Sequence, residues 1–149
     1  MEKNPMDPIK SPIEHVIVLM MENRSYDHML GYLQNGHGLT GNEFNLVDPS
    51  NPDSEKVFVN NRSGYITTVN PAHDVVSIEK QEFGEVGHIV NPAPMNGFVK
   101  VYIETAEGDV EEGKKIMDCF DPAKIPALTT LAQEFVICDH WHASVPGPT

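Results

Sequence analysis

The chain has 149 residues, with 22 acidic against 10 basic side chains and a formal net charge of −12. That length suits one ordinary domain core. The charge argues against nucleic acid and against an anionic membrane surface, both of which call for clustered Lys and Arg. It does not argue against a neutral or zwitterionic ligand.

The first twelve residues, MEKNPMDPIKSP, are polar and carry three prolines, so residues 1–12 are expected to be disordered or extended. They lack the basic start and apolar middle of a signal peptide. No apolar run approaches the ~20 residues that span a bilayer. These features predict a cytoplasmic protein or one in peripheral contact with a membrane, and a secreted one if the true N-terminus is missing. Cys119 and Cys138 lie in no metal or redox motif and read as reduced, partly buried thiols. Whether they pair stays open.

Residues 15–21, HVIVLMM, are almost continuously apolar, as in a strand buried on both faces of a parallel sheet. The run stops abruptly at Glu22-Asn23-Arg24-Ser25. In open α/β sheets, ligands bind beyond the carboxyl ends of the strands. Ser25 can cap a helix to about residue 33, with Tyr26, Met29, Leu30 and Leu33 on one face. Gly36, Gly38 and Gly41 open a loop, and residues 47–53 are also loop. Residues 56–59 and 65–69 read as two short strands around the turn-like Asn60-Asn61-Arg62-Ser63-Gly64. Asp74 can cap a helix over 75–83, stopped by Gly84. Residues 90–94 form a Pro-rich loop, and 97–106 a helix with Phe98, Val101 and Tyr102 on one side. The acidic stretch 104–112 reads as a solvated face, and 114–120 has no clear type. Pro126 suits the first turn of a helix with Leu128, Leu131 and Ala132 inward. Residues 135–138 read as a second buried strand. The class is α/β.

The motif ENRSYDH after a Val/Ile-rich strand resembles the N-terminal signature of the phosphoesterase family of non-specific, phosphatidylcholine-type phospholipases C and related acid phosphatases. The likeness returns at His73-Asp74, at Met95-Asn96-Gly97-Phe98, and over residues 125–149. It implies an alkaline-phosphatase-like fold, a mostly parallel sheet flanked by helices. Ile-Pro-Ala-Leu-Thr-Thr-Leu-Ala-Gln-Glu-Phe-Val resembles the helix and strand that precede the nucleophile in that superfamily. Family members are longer, and SVPGPT stops where they continue with Pro-Asn-Arg. Residues 13–149 are therefore expected to be the N-terminal, incomplete portion of a phosphoesterase catalytic domain; the other reading is a complete small domain.

A carboxylate and an amide carbonyl suit a hard divalent cation, and at a strand's end both can reach one ion. The resemblance assigns Glu22 and Asn23 to a metal of unspecified identity, with the remaining acidic ligands beyond residue 149. Read alone, Asn23 and Ser25 are ordinary helix-cap residues. The resemblance puts Thr149 at the phosphorylated nucleophile. A Thr hydroxyl needs a metal or a base to act. His73 looks like part of the pocket, to bind phosphate or protonate the leaving oxygen; read alone it is a surface histidine beside a cap. Arg24 can bind phosphate bidentately or pair with a carboxylate. Asp27 and His28 sit on the helix and read as folding residues. Asp139, His140 and His142 have a spacing that can bind zinc, but relatives often carry Arg-Trp-Phe here, so the metal is placed at Glu22 and Asn23.

The leading functional expectation is metal-dependent hydrolysis of phosphate esters of the phospholipase C type, through a phosphothreonine. Alternatives are an acid phosphatase acting on small phosphomonoesters, or a catalytically inactive truncated binding module. Thr149 argues against a sulfatase, which needs a Cys or Ser that can become formylglycine.

Overall fold

The computed structural model describes residues 13–21 and 23–148. Residues 1–12, Glu22 and Thr149 lie outside the described residues. The chain is mixed α and β. Helix α1 (Tyr26–Leu30) is followed by strands β1 (Phe44–Leu46) and β2 (Lys56–Phe58), then helices α2 (Val75–Phe83), α3 (Phe98–Thr105), α4 (Val110–Lys114) and α5 (Pro126–Glu134), with single 3₁₀ turns at Lys115–Met117 and Pro122–Lys124.

The caps act where the side chains suggest. Ser25 Oγ accepts from the His28 N–H at 3.1 Å and starts α1. Asp74 accepts from the Ser77 N–H at 3.1 Å, and Gly84 ends α2 at φ +83°, a left-handed conformation that glycine adopts without strain. Helix α1 is shorter than expected. The chain turns at Gly31, whose carbonyl accepts from the Leu39 N–H at 2.6 Å, yet Leu33 is still buried.

β1 and β2 pair antiparallel, with Phe44 opposite Phe58 and Asn45 opposite Val57. The strand expected at 56–59 thus forms, but its partner lies upstream rather than at 65–69. The polar cluster after β2 does not turn back as a hairpin. It docks on the segment after α4, where the Cys119 N–H donates to Asn60 O at 2.7 Å and the Ser63 N–H to Cys119 O at 3.0 Å. Asn60 and Ser63 spend backbone groups on that segment, and residues 65–69 pair with no strand among the described residues.

Helix α3 is the centre of the packing. Val99, Val101 and Tyr102 are buried with Met117, Cys119 and Phe120. Its first N–H groups are not capped from within the helix, since Gly97 has no side chain. Instead Asn45 reaches over from β1 and accepts from Phe98 N at 2.8 Å and Val99 N at 3.4 Å. Helix α4 crosses α3 at Gly113, where a Cβ would lie 2.1 Å from Ile103 Cγ1. The acidic stretch is not wholly solvated: Glu112 is buried, bonded to the Tyr102 hydroxyl and the Lys115 ammonium. A carboxylate with two such partners can leave water.

The two strands expected to be deeply buried do not form. Residues 13–21 and 136–138 have no sheet pairing among the described residues. Ile17 is 93% and Val136 88% exposed. An apolar run reports that a segment can be buried in a sheet, while strand formation also requires a hydrogen-bonding edge. The described residues offer neither segment such an edge. In α5, Ala132 is buried but Leu131 is 54% exposed, contrary to the inward face expected of it. Helices and strands coexist as foreseen, but the sheet is a two-stranded antiparallel ribbon, too small to show a mostly parallel one. No helix among the described residues is long and apolar enough to cross a membrane.

Both cysteines are free thiols, Cys119 buried and Cys138 exposed. Burial, reinforced by the nearby Asp27 and Asp118 carboxylates, pushes the Cys119 thiol up to about 12. The thiolate is the reactive form. At pH 8, iodoacetamide should therefore label Cys138 rapidly and Cys119 only after unfolding, as peptide mass mapping would show. Equal labelling of both in the native protein would contradict this packing.

Candidate functional site

The residues after the first apolar segment turn sharply. Asn23 is exposed and takes φ +55°, a left-handed conformation that asparagine tolerates better than most residues. Arg24 then points along α1 and places Nη1 3.2 Å from His28 Nε2. A guanidinium can only donate, so His28 Nε2 accepts and the ring is neutral. Burial first, then the Arg24 charge, push the His28 pKa below its ordinary value. His28 also packs edge-on against Phe120 at 5.1 Å, and its carbonyl accepts from the Phe120 N–H at 2.8 Å. His28 therefore joins α1 to the core segment. Arg24 makes no ion pair with a carboxylate among the described residues. Its charge remains on the exposed rim beside Asn23.

His73 is half-buried at the entrance to α2. Its Nδ1 lies 3.0 Å from the Pro71 carbonyl, which makes Nδ1 the protonated nitrogen. Neighbouring Asp74 is committed to the cap, and its bonds from the Ser77 hydroxyl and N–H hold its carboxyl below the usual range. Among the described residues, no hydrogen bond joins His73 to Arg24. The surface hollows near α2–α3 and beside β2 are lined by none of the predicted site residues.

A second constellation joins distant parts of the chain. The His37 N–H donates to Asp139 Oδ2 at 2.7 Å, and His37 Nδ1 lies 3.0 Å from the same oxygen. The His37 and His140 rings are 5.0 Å apart, and those of His140 and His142 6.2 Å. Potential ligand atoms of His37, Asp139 and His140 all fall within 4.8 Å of one another. The His37 backbone N–H, then its ring, hold the Asp139 carboxyl below its ordinary range. The loop carrying His37 is tied down by Asn35, whose Nδ2 donates to Ala132 O at 2.9 Å. Asp139 and His140 stand out in the sequence, whereas His37 does not. It lies 102 positions from Asp139, and its only local mark is a pair of flanking glycines.

The family model described as Phosphoesterase family matches residues 13–149. Non-specific phospholipase C1 of Arabidopsis thaliana is 37% identical over 153 residues, covering 99% of this chain and 28% of that protein. Non-specific phospholipase C3 of the same plant is 36% identical, over 93% of this chain and 28% of its own length. Hemolytic phospholipase C of Pseudomonas aeruginosa is 30% identical, over 92% of this chain and 18% of its own. The chain belongs to the phosphoesterase family. It spans little more than a quarter of the length of the plant relatives it matches, 28% in both cases.

Proposed function

We propose that this chain is part of a metal-dependent phosphoric ester hydrolase of the phospholipase C type. The observation that carries the reading is the likeness to non-specific phospholipase C1, which runs over 99% of the chain and includes the ENRSYDH segment. The substrate is a phospholipid, with a small phosphomonoester as the alternative. The protein works in the cytoplasm or in peripheral contact with a membrane, or outside the cell if a leader precedes this chain.

The donor set at the turn fits a divalent cation. Glu22 offers a carboxylate and Asn23 an amide carbonyl, both hard oxygen donors, and Asn23 is exposed where the chain turns. Glu22 and Asn23 would hold the ion, which supplies charge neutralisation at the phosphoryl oxygens when bound. The Thr149 hydroxyl attacks phosphorus and forms a phosphothreonine. The alcohol departs with a proton, and water then hydrolyses the phosphothreonine. His73 keeps one proton on Nδ1 toward Pro71, so Nε2 is the nitrogen to meet a phosphoryl or leaving oxygen, and it donates there only as the imidazolium, with a second proton on Nε2. Arg24 would give up its contact with His28 to bind phosphate.

The exposed apolar segments at 13–21 and 135–138 support the larger fold expected from the resemblance. Contiguous apolar exposure marks a surface meant to be covered, here by the remainder of an alkaline-phosphatase-like sheet. A non-catalytic binding module is the rival reading of the same exposure. The 149-residue chain alone is therefore expected to show no turnover, and hydrolysis by it with a cooperative melt would refute this. For the full-length protein, release of phosphocholine from phosphatidylcholine and of nitrophenol from p-nitrophenyl phosphate should both be measured with and without a chelator. Chelation should remove at least 90% of the activity, roughly 1.4 kcal/mol or more, and a divalent salt should restore it. Full activity in chelator would overturn metal dependence. Turnover of the phosphomonoester alone would favour the acid phosphatase.

A further inference from the structure

We infer that His37, Asp139 and His140 form a zinc site separate from Glu22 and Asn23, with the fourth position left to water or to His142. The inference does not rest on the phospholipase reading.

Three observations carry it. The first is the chemistry of the donors. Two imidazoles and one carboxylate suit a borderline cation such as zinc, whereas the oxygen donors Glu22 and Asn23 suit a harder one. The second is the distance set. Tetrahedral zinc with bonds of about 2.0–2.1 Å places its ligands roughly 3.4 Å apart. His37 Nδ1 and Asp139 Oδ2 are 3.0 Å apart, and all three ligand atoms lie within 4.8 Å. The His140 ring is exposed and has room to adjust. A ligating imidazole is neutral, so with His37 Nδ1 on the ion the ring's one proton sits on Nε2.

The third is a buried hydroxyl without a partner. Tyr26 Oη is enclosed and makes no hydrogen bond among the described residues. A Cβ on Gly36 would lie 2.3 Å from this oxygen and 3.4 Å from Asp139 Oδ2. The phenol and the carboxylate therefore stand at the same glycine. Metal-bound carboxylates are usually held by such a neighbouring donor, and the Tyr26 hydroxyl is a donor of that kind on the same side of Gly36 as Asp139. The glycine is required, since a side chain at residue 36 would fill the space between them.

The ion would clamp the loop after α1 to the segment that runs on to Thr149. The alternative is a plain surface ion pair between His37 and Asp139, which requires no metal at all.

The test is zinc stoichiometry in the purified full-length protein. Equilibrium dialysis against zinc should be followed by elemental analysis, with cobalt substitution read by its visible absorption. His37→Gln and His140→Gln should each lower the affinity of one equivalent by more than the roughly 10–100-fold that loss of an outer partner costs. Glu22→Gln should leave that equivalent in place. Asp139→Asn keeps an acceptor for the His37 N–H, so it should retain the loop contact, judged by an unchanged circular dichroism spectrum, and still lose the zinc. Equal zinc content in wild type and in the histidine variants would overturn the proposal. So would loss of the same equivalent in Glu22→Gln, which would assign it to the other site.

Discussion

Replacing Thr149 by alanine in the full-length protein is expected to lower phosphatidylcholine hydrolysis by about 10³-fold or more, about 4 kcal/mol of transition-state stabilisation. A hydroxyl nucleophile cannot be replaced by a methyl group, and what survives its loss comes from binding and charge neutralisation alone. Thr149→Ser keeps a hydroxyl and should keep measurable turnover. Acid-quenched wild-type enzyme should carry phosphocholine on Thr149 with phosphatidylcholine as substrate, and phosphate with p-nitrophenyl phosphate, both detectable by mass spectrometry, and the alanine variant should carry neither. The split between kcat and KM is diagnostic. A nucleophile acts in the chemical step, so kcat should fall while KM changes little. If Thr149→Ala keeps more than a tenth of wild-type kcat, the covalent route fails and direct attack by water replaces it. Metal dependence would then stand or fall separately, on the chelator experiment.

What the sequence reveals of this chain depends on how local the determining physics is. Helix ends are set within four residues, and the caps at Ser25 and Asp74, the stop at Gly84 and the opening proline of α5 all read correctly. Strands depend on a partner, and there the reading fails in two ways. Residues 56–58 pair, but with Phe44–Leu46, while Asn60 and Ser63 give backbone groups to the segment around Cys119. Residues 15–21 have the right apolar pattern and no pairing edge among the described residues. Periodicity reports which surfaces want to leave water and is silent about where the covering surface comes from.

The site divides along the same line. The Glu22-Asn23-Arg24-Ser25 segment is legible as a motif because its residues are contiguous. That Arg24 rests on a neutral His28, rather than on one of the many carboxylates, follows from helix geometry that places residues four apart on one face. The pairing of His37 with Asp139 is not legible at all, since only the folded chain closes a separation of 102 residues. Glu112 teaches a similar point. Inside an acidic run it looks like one more solvated charge, and it is buried because Tyr102 and Lys115 stand opposite.

The largest stability effect is expected at Asn45. It is 4% exposed, in the middle of β1. Its Oδ1 accepts from the first N–H groups of α3, and its Nδ2 donates to Met95 O at 3.1 Å and Phe44 O at 3.2 Å. One amide thus supplies the N-terminal cap that Gly97 lacks and binds the loop before α3 to the ribbon. Those N–H groups have no intrahelical partner in any α-helix. Here they are enclosed, so water cannot easily replace the lost acceptor. Asn45→Ala leaves them unpaired and opens a small cavity beneath α3. Adding a lost cap to the desolvation of a buried donor gives a cost of about 2–4 kcal/mol. Asn42→Ala, at an exposed position two residues before the strand, should change stability by no more than about 0.5 kcal/mol. Urea unfolding gives the free energies, and amide exchange locates the effect, with the Phe98 and Val99 amides exchanging faster in the Asn45 variant. A loss below about 1 kcal/mol with those two amides still protected would mean that something other than Asn45 holds the start of α3. The packing of Val99 and Tyr102 would then be sufficient to order that helix by itself.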